Sequence, residues 1–220
     1  MEIIKIEKGY LTILTGKTDM GKSTITVYEC GETLRLGKRA LFFSYEYTQS
    51  IIYNKLISHF GFEWSQLLNL NIVNSYGLSL QTIIEIIRAK KGAIDIGAIY
   101  IDYLDLLKDA TFPKAKDTEE DLAQIQEICR VLAALAMELN VPIILLSQVG
   151  ASSDFEKAVQ RLNSFTEKVE GNNVYKMFIG KGNIIDSRID YTDIVHIILV
   201  DGYELKYFSS INIKEIYGDN

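Results

Sequence analysis

The chain has 220 residues, a formal net charge of −6, 48% hydrophobic and 24% charged residues, and only two cysteines and two histidines. It is long enough to bury a central sheet with helices on both sides, and its acidic balance argues against wholesale coating of nucleic acid, which needs clustered Lys and Arg. The few Cys and His residues point away from a zinc cluster or a disulfide framework. With no secretory pattern and no apolar run of membrane-spanning length, the expectation is a cytoplasmic protein with no membrane partner.

The first predicted element is an apolar strand, Tyr10-Leu11-Thr12-Ile13-Leu14-Thr15, followed by Gly16-Lys17-Thr18-Asp19-Met20-Gly21-Lys22-Ser23 and a helical run to about Leu36. The eight residues fit G-x-x-x-x-G-K-[ST], the phosphate-binding loop of nucleotide hydrolases. Glycines let backbone N–H groups turn inward around a phosphate, and the helix N-terminus adds its positive end. In this pattern Lys22 reaches the β/γ-phosphates and the Ser23 hydroxyl is placed to ligate Mg²⁺. A flanking strand and helix make the match much more specific than the bare pattern, whose bland alternative is a glycine turn.

Next come a short apolar strand, Arg39–Tyr45, and helical spacing over 48–60 through Ile51, Ile52, Leu56 and Ile57. A weak strand at Leu70–Val73 precedes a helix from Ser79, its N-cap, to about Lys91. Ile96–Asp102 reads as a buried strand ending in an acid. Residues 108–118 are polar, and Thr118 with Asp121 suits a capping box variant ahead of a long helix to Leu139. Val141–Gln148 is another buried strand. The stretch 150–175 is polar and reads as a mobile loop with one helical turn or two. Strands follow at Val174–Ile179, Asp193–Val200, Glu204–Phe208 and Ile211–Ile216, with Asp201-Gly202 as a hairpin signal. Cys30 and Cys129 fall in predicted helices as small buried residues.

Apolar strands alternating with amphipathic helices predict an α/β fold: a mostly parallel sheet covered on both faces, with a C-terminal antiparallel hairpin, in a single domain over 1–220. Ligands of such sheets sit at the carboxyl ends of the strands, and there stand Glu46, Asp102 and Gln148. Asp102 has the position of an acid that holds Mg²⁺ opposite the phosphate loop. Glu46 is either a base for the water attacking the γ-phosphate or a surface acid beginning a helix. Gln148 is either a γ-phosphate sensor coupled to the following loop or an ordinary strand-end amide. The positive residues after it, among them Lys157, Arg161 and Lys168, are offset by Asp154, Glu156 and Glu167, as on a solvated loop.

Taken in order, these segments resemble the RecA-like motor domain of DnaB-type replicative helicases over roughly residues 8–200. Leu11–Gly16 running into Met20-Gly21-Lys22-Ser23-Thr24 is similar to that family's first motif. Leu41–Glu46 resembles the next, whose Glu is the catalytic base. Ile99–Leu107 is close to the metal-acid strand, and Ile128-Cys129-Arg130 through Leu139–Gln148 to its most distinctive stretch. Ile189–Val195 is similar to the segment before the next strand.

The resemblance implies an ATPase using ATP and Mg²⁺. Gly16, Lys17, Thr18, Asp19, Met20, Gly21, Lys22, Ser23 and Thr24 would cradle the phosphates, Ser23 and Asp102 hold the metal, and Glu46, Lys22 and Gln148 serve catalysis. It also implies single-stranded DNA, a ring or filament of like subunits and a replication partner protein, with a virus or plasmid as a natural source. The chain departs from the family in leaving no room before the loop for an N-terminal domain and linker helix. It also has no Arg after Val200, so that Lys206 and Arg188 are the only candidates for an arginine finger. Asp19 within the loop is a further oddity, an acid brought near anionic phosphates. A second reading follows from these departures: a non-unwinding ATP-dependent switch or accessory module resembling recombinase or KaiC-type paralogs.

Overall fold

A computed structural model describes residues 4, 6–149, 155–167, 169, 173–181, 194–201 and 204–212. Among these residues eight strands form one sheet: β1 (Leu11–Gly16), β2 (Arg39–Ser44), β3 (Leu70–Asn74), β4 (Ile96–Asp102), β5 (Ile143–Gln148), β6 (Val174–Lys181), β7 (Ile194–Asp201) and β8 (Glu204–Asn212). Their order is β3-β2-β4-β5-β1-β6-β7-β8. The first six run parallel, and β7 and β8 continue the sheet antiparallel. This is the mostly parallel α/β architecture, with a C-terminal antiparallel extension, expected from the sequence.

Among the described residues seven helices cover the sheet: α1 (Lys22–Arg35), α2 (Gln49–Phe60), α3 (Trp64–Leu67), α4 (Leu80–Ala93), α5 (Leu104–Thr111), α6 (Thr118–Leu139) and α7 (Phe155–Thr166). Alternation along each strand sorts the core into two layers. Leu41, Phe43, Ile99, Ile101, Ile143 and Leu145 pack on α4, α5, α6 and α7. Their neighbours Phe42, Ala98, Tyr100, Ile144 and Leu146 pack on α1, α2 and α3. Each fully buried side chain of this size contributes roughly 1.5–3 kcal/mol, so central strands apolar on both faces hold the ladder rigidly in register. Cys30 and Cys129 are buried free thiols within these layers.

Several elements differ from their sequence reading. The cap of α6 is Asp117, one residue before the expected Thr118; its side chain accepts the Glu120 N–H at 2.8 Å. The acids Glu119, Glu120 and Asp121 then occupy the first turn, where the helix dipole favours them. α5 is hidden in the sequence because its Leu104-Asp105-Leu106-Leu107 start reads as a continuation of the β4 motif. α7 lies within the stretch that reads as a loop. It spans 12 residues and buries Ala158, Leu162 and Phe165, whose i, i+4, i+7 spacing is a helical signal diluted by polar neighbours. The two short strands expected at 204–208 and 211–216 are one strand to Asn212, with an irregularity opposite Ile197 and Ile198. The Gly202 half of the hairpin signal, the Ile189–Asp193 segment, residues 150–154, 168 and 170–172 of the 150–175 stretch and residues 213–216 lie outside the described residues.

Candidate nucleotide-binding site

The carboxyl ends of β1, β2, β4 and β5 converge on a cleft of about 310 Å³, lined by Ser23, Glu46, Asp102 and Gln148 among others. Gly16 ends β1 and sits opposite Gln148 in the β5 register. A Cβ on Gly16 would stand 2.4 Å from the Ile179 carbonyl oxygen of β6, so close strand approach is what requires glycine here. The loop then climbs through Asp19, at φ +62°, to Gly21, at φ +85°. Only a residue without Cβ adopts the latter cheaply. Gly21 is also the N-cap of α1, which has no side-chain cap and no acid in its first turn. The first-turn amides of α1 are therefore left to a ligand, the arrangement that binds anions at helix N-termini.

Lys22 is buried at 7% exposure, and its ammonium donates to the carbonyls of Gly16 at 2.8 Å and Lys17 at 2.7 Å. Burial pulls its pKa below the ordinary lysine value, opposed by the carboxylates of Asp102, Asp19, Glu46 and Asp105. Asp102 is buried at 2% exposure. Desolvation pushes its pKa up to about 6; a hydrogen bond from Ser23 and the charge of Lys22 work against that, while Glu46 reinforces it. Asp102 Oδ2 is buried with no hydrogen-bond partner among the described residues.

Glu46 sits on a tight turn at the end of β2. Ser44 Oγ donates to the Tyr47 carbonyl at 2.7 Å and accepts the Tyr47 N–H at 3.0 Å. The Tyr45 N–H donates to the Asp102 carbonyl at 2.8 Å, tying the turn to the end of β4. Glu46 is thereby held exposed at the cleft mouth. Gln148 is half-buried across from it.

The expected residues Thr18, Asp19, Gly21, Lys22, Ser23, Thr24, Glu46, Asp102 and Gln148 all line the cleft. Gly16, Lys17 and Met20 do not: Gly16 packs against β6, Lys17 lends its carbonyl to Lys22, and Met20 packs on the second core layer. Two charged groups escape the sequence reading. Lys55 of α2 lines the cleft, with its Nζ 4.4 Å from the Tyr47 ring centroid; only the fold reveals that α2 turns this residue back over the loop. Asp105 of α5 accepts the Gln148 backbone N–H, and Arg161 of α7 faces it at 3.6 Å. Asp105 thus joins the end of β5 to α7. Of the finger candidates, Arg188 lies outside the described residues, and Lys206 is in β8 with its side chain likewise outside them.

The donor set fits a magnesium ion. Ser23 and Asp102 offer a hydroxyl and a carboxylate already joined by a hydrogen bond, and the spare Asp102 Oδ2 is a hard oxygen ligand of the kind Mg²⁺ takes.

Sheet and loop together define a RecA-like P-loop domain. Within that class the chain is similar to DnaB-like replicative helicases. Residues 62–161 match the family model of the DnaB-like helicase C terminal domain. The chain is 44% identical over 62 residues to the replicative DNA helicase DnaB of Rhodothermus marinus, covering 28% of this chain and 6% of that protein. It is 26% identical over 170 residues to a probable plasmid replicative DNA helicase of Chlamydia psittaci, covering 66% of this chain and 36% of that one. The chain therefore spans a minor part of the length of these curated relatives.

Among solved structures, one isolated ATPase domain superposes with a TM-score of 0.72 at 22% identity, covering 97% of this chain and 84% of that one. A DnaB-like replicative helicase studied with primase superposes at 0.71 and 21% identity, covering 97% and 57%. At these identities the structural likeness establishes the fold. No helix among the described residues is long and apolar enough to cross a membrane.

Proposed function

We propose that the chain is one RecA-like domain that binds and hydrolyses Mg-ATP and works with single-stranded DNA in replication or recombination. The observation that carries this reading is the meeting of Lys22, Ser23, Glu46, Asp102 and Gln148 in a single cleft from four separate strand ends. The backbone amides of the loop and Lys22 bind the phosphates; Ser23 and Asp102 hold the metal. When bound there, Mg²⁺ would supply positive charge that offsets the charge of the phosphates.

Glu46 orients a water at the cleft mouth and accepts its proton as the oxygen attacks the γ-phosphate. Gln148 follows the γ-phosphate, and Asp105 passes its displacement to α7 through the Gln148 N–H on one side and Arg161 on the other. Cytoplasmic action, in a virus or plasmid context, accords with the plasmid helicase relative. A ring or filament of like subunits supplies the contacts in trans, and a primase-like protein is the natural partner.

The test is ATP hydrolysis with and without single-stranded DNA, alongside mass in solution. Stimulation by DNA in a higher-order oligomer supports the motor. A monomer that binds ATP and barely turns it over, with or without DNA, makes the chain a switch or accessory module instead.

A further inference from the structure

Asp19 stands on the crest of the phosphate loop and lines the nucleotide cleft. Its φ of +62° is a left-handed conformation that Asn, Asp and Gly adopt most readily. Backbone geometry thus accounts for a residue of this kind and leaves the charge unexplained, since Asn would serve equally. The side chain is exposed and makes no hydrogen bond or ion pair among the described residues. What its charge acts on is Lys22, the cation meant for the phosphates, which also faces Asp102, Glu46 and Asp105. Of the charged side chains lining the cleft, Lys22 and Lys55 are positive while Asp19, Glu46 and Asp102 are negative. Among the side chains the acids outnumber the lysines, so the attraction of a bare polyphosphate to Lys22 and the α1 amides is opposed by the carboxylates around them.

We propose that Asp19 makes nucleotide binding by this loop conditional on a divalent cation, admitting the metal complex of a nucleoside triphosphate and turning away the metal-free anion. Metal-free ATP carries roughly four negative charges and its magnesium complex about two, so a fixed carboxylate at the crest opposes the first about twice as strongly. Discrimination of this kind keeps the loop from filling with metal-free nucleotide or pyrophosphate that cannot react. The inference rests on the nucleotide-binding reading above.

The experiment is equilibrium binding of a fluorescent ATP analogue to the wild-type chain, Asp19→Asn and Asp19→Gly, each with Mg²⁺ and with EDTA. Asn keeps the left-handed backbone and removes the charge; Gly removes both charge and strain. At low salt both variants are expected to bind the metal-free analogue about tenfold more tightly and the magnesium complex no more than about threefold more tightly. The difference should collapse near 1 M salt, where charges are screened beyond about 3 Å.

Equal changes with and without Mg²⁺, or an effect confined to Asp19→Gly, would overturn the proposal while leaving nucleotide binding intact. Wild-type chain that binds no analogue even with Mg²⁺ would overturn both readings.

Discussion

Asp102 shows what the site costs the fold at the scale of a single residue. Its carboxyl has an ordinary value near 3.8, raised to about 6 in the folded chain, chiefly by burial. The native state therefore holds a proton that the unfolded state releases between these values. The contribution to stability is present in full below pH 4 and is lost as pH rises through 6. A shift of this size corresponds to roughly 3 kcal/mol. Asp105 is shifted in the same direction, also by burial, so it adds to the trend. Asp102→Asn is expected to stabilise the chain by about 1–3 kcal/mol at pH 7.5 and to flatten the fall in stability between pH 4 and 6. Urea denaturation of both proteins at pH 4.5 and pH 7.5 checks this. The same substitution should abolish magnesium-dependent nucleotide binding, because it removes the anionic ligand. Identical pH profiles for the two proteins would show that Asp102 is not desolvated as described.

At the scale of elements, the phosphate loop is seated by the β1–β6 contact. Gly16 belongs to a six-residue strand buried at every position, and the Ile179 backbone occupies the space a Cβ would need. Gly16→Ala should therefore cost about 1–3 kcal/mol by overpacking and displace the loop, lowering nucleotide affinity as well. Chemical denaturation and nucleotide titration on one preparation test both effects; an unchanged midpoint would mean that β6 yields at no cost.

The elements themselves are legible to different degrees. Continuous apolar runs such as Ile96–Asp102 and Val141–Gln148 are long enough to read as buried strands without further help. α7 is not, because Ala158, Leu162 and Phe165 face the core from a helix whose other sides carry Glu, Lys, Gln, Arg and Asn. The α6 cap differs by one residue because Asp117 and Thr118 are adjacent residues of equal capping chemistry, and only backbone geometry separates them. The swing of α2 that brings Lys55 over the cleft is a tertiary effect, and no spacing along the chain encodes it.

For the whole molecule, the site is more legible than the fold around it. Glu46, Asp102 and Gln148 are far apart in sequence, yet strand polarity alone puts all three at one edge of the sheet. Parallel pairing of β2 with β4, which aligns Ser44 with Asp102, and of β1 with β5, which aligns Gly16 with Gln148, then brings them together. Less legible is the electrostatic character of the cleft, where two lysines face three acids, since it depends on Lys55 being carried to the cleft by α2.

On the proposed reading, this cleft hydrolyses the nucleotide it binds, with Glu46 as the base. The most direct measurement is steady-state ATP turnover by the wild-type chain and by Glu46→Gln, with Mg-ATP affinity measured in parallel. A loss of about 10²–10⁴ in turnover with affinity essentially unchanged is the predicted result. Unchanged turnover, or a loss of affinity that accounts for the whole effect, would contradict it.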